Sequence, residues 1–330
     1  MQYVLIVDGN YALSINVFAL FKDNKLFGRL APALKESITK LKKLHAFKKC
    51  YLVSDAGRSW RKDFYPEYKA TRKKDNTIDW NFVFNTYADF KKYAEEEMRM
   101  QVLESPGVEG DDWVAHLVRK YNSQGISCLI ISSDKDLLQL IHCQTGDIEF
   151  LNVMLTMEQY NSRLYLPKNW SILATKYNKK QDSLFGLESE EDVEQLLYNL
   201  QNNRKLELVE PEEKLFCKVI GGDKKSDNIE SVYVKESIKN NITSRRGIGD
   251  TGAIKLYQYY KKLYPEPIQF CTRDFVTRAA MTVAEDKKET SEEVIKLIEK
   301  NVIRNLKLVA LEDRFLPNDL KTSMQKYCPI

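Results

Sequence analysis

Histidine is scarce: three are scattered along the 330 residues, and they supply no ligand set of the zinc type. The six cysteines (Cys50, Cys128, Cys143, Cys217, Cys271, Cys328) include no C-x-x-C pair. They lie far apart, several within apolar runs, which fits reduced core thiols in a reducing compartment. A metal, if held, is expected on oxygen ligands. The opening MQYVLIVDGN lacks a basic n-region and a small-residue cleavage site, and its apolar run is far short of a bilayer span. It reads as a first core strand. Composition of the disordered type is absent too. The formal net charge of +4 permits a polyanionic partner without arguing for one. The length predicts one large domain or two moderate ones.

What is present begins with apolar runs. YVLIV from Tyr3, CYLV from Cys50, CLII from Cys128 and the weaker IEFLNV from Ile148 read as strands buried on both faces. Between them, residues 30–44 and 113–121 carry apolar positions at three- and four-residue spacing, the helical period. Strands alternating with helices predict an α/β fold with a largely parallel sheet covered on both faces.

Three of these strands end in acid. VLIVD ends in Asp8, YLVSD in Asp55, and LIISSD in Asp134, with Asp136 just beyond. In open parallel sheets the functional crevice lies outside the carboxyl ends of the strands, so these acids are candidates to converge. A single Asp after a strand is commonly a turn or N-cap residue. Repetition over three strands favours a site. A further group, Glu109-Gly-Asp111-Asp112, opens a helix, where acids also suit the macrodipole.

Residues 58–74 bring seven basic side chains (Arg58, Arg61, Lys62, Lys69, Arg72, Lys73, Lys74) against Asp63 and Glu67, with Trp60, Phe64, Tyr65 and Tyr68 interleaved. Cations neutralise phosphates and rings stack on unpaired bases. From Asp182 to Lys214 the balance reverses, ten acids against three basic residues, which reads as a surface helix or insertion at a domain boundary. Farther on, Arg246-Gly-Ile-Gly-Asp-Thr-Gly-Ala253 precedes a helical pattern. Glycines at a helix start let backbone N–H groups approach a phosphate.

Two carboxylates about 5 Å apart repel by roughly 3 kcal/mol at an effective dielectric near 20. A cluster multiplies that cost, so the acids must protonate, find cations or bind metal. A strand-like alternation through DKD would turn Lys135 away from its acidic neighbours. Carboxylates suit Mg²⁺, or Mn²⁺ in its place, and two ions roughly 4 Å apart can activate water and stabilise a leaving oxygen. Acidic pocket, basic aromatic segment and phosphate-gripping turn together describe a metal-dependent nuclease.

With VDGN, SDAGRSWRKDFYPEYKATRKK, EGDDWVAHLVRKY, LIISSDKDLLQL, GGDKKSDNI and RGIGDTGA in this order, the chain resembles the flap endonuclease or 5′-nuclease superfamily, most closely its T-even phage ribonuclease H branch. The final NLKLVALEDRFLPNDL resembles that branch too. The resemblance implies a Rossmann-like, PIN-like core over residues 1–180 with a helical arch at about 58–100. It also implies an acidic insertion or linker at 181–214 and a mainly helical helix-hairpin-helix DNA-binding domain at 215–330. Carried over by motif, the metal-site acids are Asp8, Asp55, Glu109, Asp111, Asp112, Asp134, Asp136, Asp223 and Asp227, holding two or more Mg²⁺ ions. Lys69, Arg72 and Arg61 match residues at the scissile phosphate. Tyr68 and Lys73, with Arg246, Gly247, Gly249, Thr251 and Gly252, match DNA-binding positions.

The implied activity is 5′ to 3′ exonuclease and flap endonuclease cleavage, with RNA-primer removal, on branched or nicked DNA and RNA–DNA duplex with a 5′ single-stranded end. A monomer in the cytoplasm, a bacterial host's if the chain is from a phage, would work beside a single-strand-binding protein and a replisome, without membrane. The family usually writes GD-x-x-DN, whereas this chain has one extra residue before Asp227. Thr251 stands where many relatives carry Lys, and the acidic segment has no counterpart in short forms. Two other readings stay open: a non-cleaving structure-specific DNA-binding protein with a degenerate site, and a PIN-type phosphatase or ribonuclease sharing only the core.

Overall fold

A computed structural model of the chain describes residues 3–43, 47–145, 148–157, 163–168, 205–239 and 242–328. The acidic segment, up to residue 204, lies outside the described residues, as does the boundary expected near 180. The chain divides into two units. The first comprises residues 1–60, 75–209 and 316–330, and the second 61–74 and 210–315. The sequence boundaries differ at both ends of this division: part of the expected arch groups with unit 2, and the final segment groups with unit 1.

Unit 1 is built on a seven-stranded sheet ordered β3-β2-β1-β4-β7-β8-β9. Its strands are β1 Val4–Asp8, β2 Lys49–Val53, β3 Gln101–Leu103, β4 Cys128–Ile131, β7 Val153–Leu155, β8 Arg163–Pro167 and β9 Lys205–Val209, with β5 His142–Thr145 and β6 Ile148–Leu151 forming a separate antiparallel ribbon. All neighbours in the main sheet are parallel except β7 and β8. The helices are α1 Gly9–Lys22, α2 Leu26–Lys42, α4 Trp80–Glu96 and α5 Gly110–Ser123, with α3 Arg61–Phe64 falling in unit 2.

The central strands are unbroken apolar runs because both faces are covered. Leu5, Val7, Leu52, Leu129 and Ile131 share one cluster with residues of α1, α2 and α4. The intervening Tyr51 meets α5, its hydroxyl 2.6 Å from that of Tyr121. IEFLNV does not form one strand, contrary to the sequence reading. Asn152 divides it into β6 and β7, its buried amide donating to Leu140 O and Asn122 Oδ1 while accepting from Cys128 N. Those bonds take Asn152 out of a regular ladder.

Unit 2 contains α6 Pro211–Gly221, a ribbon of β10 Val234–Lys239 and β11 Ile242–Gly247, α7 Asp250–Leu263, α8 Arg273–Lys287 and α9 Glu292–Val309. Its core gathers Phe216, Tyr260, Phe275 and Val302. A Cβ on Gly221 would lie 3.5 Å from Ala253, so the end of α6 packs closely on the start of α7. The glycine stretch at 246–253 leads into a helix, α7, as its pattern predicts, and its first residues close a strand: Arg246 pairs with Lys235 and Gly247 with Val234.

The chain returns to unit 1 with α10 Asn318–Tyr327. Ser323 Oγ lies 2.9 Å from Ser105 Oγ, and Leu320 packs against Gly107. Beyond the helix, the carbonyl of Cys328 lies 2.8 Å from His116 Nε2.

Candidate active site

β1 and β4 lie side by side, with β2 on the other flank of β1. This reversal of strand order opens the crevice beyond their carboxyl ends. Asp8 closes β1 and also caps α1, accepting from Tyr11 N at 3.0 Å. Its second oxygen accepts from Ser132 Oγ, just past β4, at 2.7 Å. Burial pushes the Asp8 carboxyl up to about 6, the Tyr11 and Ser132 bonds pull it down, and the negative charges of Asp134 and Asp55 push it up again. Asp55 and Asp134 thus both lie near enough to Asp8 for their charges to act on it.

Gly9, next to Asp8, has no alternative. A Cβ there would stand 1.9 Å from Tyr87 Oη and 2.8 Å from Val53 O. The Tyr87 hydroxyl passes at that point to reach Ser54 Oγ at 2.7 Å, a buried pair that floors the site.

Asp55 follows β2 and accepts from Gly110 N at 2.6 Å, which ties it to the start of α5. Glu109, the residue before that helix, is buried and accepts from Ser59 Oγ at 2.8 Å. Carboxylate oxygens of Glu109, Asp111 and Asp112 lie within 4.8 Å of one another. Asp112 is also a structural residue: its Oδ2 accepts from Trp60 Nε1 at 3.0 Å and from Glu109 N at 3.3 Å. Asp134 caps a short 3-10 helix, Lys135–Leu140, by accepting from Asp136 N at 2.9 Å. Lys135 therefore begins a helical turn, and the strand-like alternation expected there does not hold. Hard carboxylate oxygens at this spacing fit a divalent cation such as Mg²⁺ or Mn²⁺.

In unit 2 the acids are held by cations of the same unit. Asp223 Oδ2 lies 2.6 Å from Lys218 Nζ, and its Oδ1 accepts from Ser226 N at 2.8 Å. Burial alone would push Asp223 up, but Lys218 and the Ser226 N–H outweigh it and hold the carboxyl below its usual range. Asp227 is buried and paired with Arg72 at 2.8 Å.

Two residues expected at the nucleic acid are core residues. Arg61 is 1 % exposed and donates from Nε to Leu308 O at 2.9 Å. Its guanidinium braces a helix end and is closed to a phosphate. Tyr68 is 2 % exposed within the unit 2 core, with the Lys69 ammonium 4.8 Å above its ring, so it cannot stack on a base. Trp60 is buried as well. Lys73, Arg246, Gly247, Gly249 and Thr251 are exposed, and Gly252 is half-buried. Ser132, Ser54, Tyr87 and Lys218 went unassigned in the sequence reading. Only Ser132 carried a signal, as the hydroxyl preceding the DKD acids on the same strand end.

The family described as 5′-3′ exonuclease, N-terminal resolvase-like domain, matches residues 3–168. The chain belongs to this family. A 5′-3′ exonuclease of Buchnera aphidicola subsp. Schizaphis graminum is 28 % identical over 194 residues, 56 % of this chain and 65 % of that one. Ribonuclease H of Enterobacteria phage T4 is 34 % identical over 113 residues, 33 % of this chain and 37 % of that one. The aligned stretch thus spans less than two thirds of each of these relatives. The fold is shared with the T5 5′-exonuclease solved with zinc: TM-score 0.59, 18 % identity, covering 98 % of this chain and 97 % of that one. The resemblance to 5′-nucleases and the expected core agree with these matches.

Proposed function

We propose that this protein is a Mg²⁺-dependent, structure-specific 5′-nuclease that cuts phosphodiesters near single-strand to double-strand junctions, removing 5′ flaps and RNA primers and leaving 5′ phosphates. The observation that carries this reading is the convergence of Asp8, Asp55 and Asp134 at the strand-order reversal, beside Glu109, Asp111 and Asp112. A divalent cation held by these carboxylates would supply charge stabilisation for a phosphodiester and lower the pKa of a water. The chain's own contribution is placement. Ser132 fixes one oxygen of Asp8, Gly110 N–H fixes one of Asp55, and Trp60 locks Asp112. For unit 2, the motif that Lys69 and Arg72 match supports a part for them in neutralising phosphate charge on the nucleic acid. The relatives' names support the substrate class, and branched or nicked DNA and RNA–DNA hybrids in a bacterial cytoplasm, beside a single-strand-binding protein and a replisome, are its proposed setting.

The test is cleavage of a 5′-labelled flap duplex and a matched RNA-primed duplex, with Mg²⁺ or with chelator. Short 5′ fragments are expected only with Mg²⁺, and Asp111→Asn should reduce their release by at least about a hundredfold while substrate is still bound. Binding by the wild-type protein without cleavage in Mg²⁺ or Mn²⁺ would favour the non-cleaving alternative.

The start of α7 supplies a separate prediction. Gly249 caps this helix with φ −87°, a value open to any residue, and a Cβ there would meet nothing within 4 Å. Among the described residues no contact requires glycine at this position, whereas a phosphate approaching the helix N-terminus would. Aspartate is a good N-cap but repels phosphate. Gly249→Asp should therefore keep the melting temperature and weaken duplex binding by about tenfold or more, with a shallower salt dependence. Unchanged affinity would remove α7 from the interface.

A further inference from the structure

We propose that Asp227 is a positioning residue which anchors the basic segment bearing Lys69 and Arg72, and that it does not ligate metal. The inference rests on the nuclease reading above and departs from the role that the motif implies for this acid.

Four contacts within unit 2 carry it. Arg72 Nη2 lies 2.8 Å from Asp227 Oδ1, and Arg72 Nε donates to Ser226 O at 3.0 Å. Lys69 N donates to Asp227 O at 2.8 Å. Asn228 Nδ2 donates to Glu67 O at 2.9 Å. The loop at 226–228 and the segment at 67–72 are thus stitched through side chain and backbone in both directions. Lys69 and Asn228 both sit in the left-handed region, at φ +54° and +58°. For a lysine this backbone is unfavourable and persists only where surrounding contacts impose it.

The Asp227 side chain is 8 % exposed and already holds a charge-assisted bond. A cation taken by its other oxygen would stand close to the Arg72 guanidinium held on Oδ1, and that like charge opposes ligation. Arg72, by contrast, is 55 % exposed. Among the described residues its guanidinium is engaged through Nε and Nη2, which leaves the Nη1 edge of the planar fork for a phosphate. Asp227 therefore presents Arg72 already oriented, and fixes the backbone from which Lys69 projects. The extra residue in the loop fits this: Asp227 N donates to Asp223 O at 3.2 Å, closing a turn in which Asp223 is itself held by Lys218.

The test uses the full chain and three readouts. Limited trypsinolysis follows cutting at Lys69, Lys73 and Lys74; Mn²⁺ titration by electron paramagnetic resonance follows metal affinity; flap cleavage follows activity. Asp227→Ala should speed tryptic cutting within the segment by about tenfold. Mn²⁺ affinity should stay within about twofold of wild type, while Asp111→Asn loses about tenfold or more. Flap cleavage should fall by about tenfold through misplacement of the segment. Arg72→Ala should open the same tryptic sites, with Asp227→Ala adding little on top, since the Arg72–Asp227 pair is already lost in the first change. Asp227→Asn, which keeps an acceptor for Arg72 and serves if the alanine variant unfolds, should lie between wild type and alanine. Loss of Mn²⁺ affinity comparable to Asp111→Asn, with unchanged proteolysis, overturns the proposal, as does additive behaviour of Asp227→Ala and Arg72→Ala. A wild-type protein that binds Mn²⁺ but cuts no nucleic acid would count against the nuclease reading, while the proteolysis and titration still decide the anchor.

Discussion

Asp8→Asn is expected to abolish cleavage and, in the metal-free protein at neutral pH, to raise the melting temperature. The two effects have one cause. The folded carboxyl titrates at about 6 against 3.8 when unperturbed, chiefly through burial. Below pH 3.8 both folded and unfolded states carry the proton, and nothing is lost. Between 3.8 and about 6 the folded state retains a proton that the unfolded state releases, so stability falls as pH rises. Above that window the penalty is constant, at most about 3 kcal/mol from the size of the shift. Asparagine avoids the ionised form and keeps the geometry, accepting from Tyr11 N and donating to Ser132 Oγ. The gain should vanish below pH 4 and, if the Asp8 carboxylate helps to hold the proposed ion, reverse when Mg²⁺ or Mn²⁺ is added. Thermal melts at pH 4 and pH 7, with and without Mn²⁺, check this. A variant less stable than wild type at both pH values without metal would show that capping of α1 dominates at Asp8.

Gly222→Ala should be the most disruptive single methyl in unit 2. Gly222 has φ +68° and ψ −166°, a region open essentially to glycine alone. A Cβ there would stand 2.5 Å from Ile229 O and 2.6 Å from the carbonyl carbon of Glu230. Neither neighbour is the end of a flexible side chain. The Glu230 carbonyl is further pinned by Arg304 Nη2 and Asn305 Nδ2, each at 2.9 Å. With backbone strain and steric overlap acting together, the expected loss is about 3 kcal/mol or more. It should appear in denaturant melts and as weakened protection of amides 223–229 in hydrogen exchange. A loss below about 1 kcal/mol would mean that the loop can relax outward.

The parts legible in sequence were those governed by local rules. An apolar run followed by Asp identifies a buried parallel strand and the acid at its carboxyl end. Asp8, Asp55 and Asp134 followed from that pattern, and Glu109 and Asp111 from a helix start. The burial of Arg61 and Tyr68 is not legible in sequence because their surroundings are remote along the chain. Arg61 meets the carbonyl of Leu308, 247 residues away, and no local pattern separates a basic side chain that brackets a helix end from one that awaits phosphate. Asn152 shows the same limit within a strand. IEFLNV reads as one run until its amide is seen serving three partners. The Lys218–Asp223 pair was hidden too, because it joins a helix to the loop that follows it.

The path of the chain also bears on biosynthesis. It passes between the units at residues 60, 74, 209 and 315, and ends its described course back in unit 1. There Met324 and Cys328 are buried, and α10 covers the turn at Gly107, two residues before Glu109. A nascent chain extending to residue 315 has every residue of unit 2 but lacks this cover. The unit whose first strand is made earliest thus gains some of its contacts late, and α5 gains the bond of its His116 to Cys328 only after residue 328 has been made.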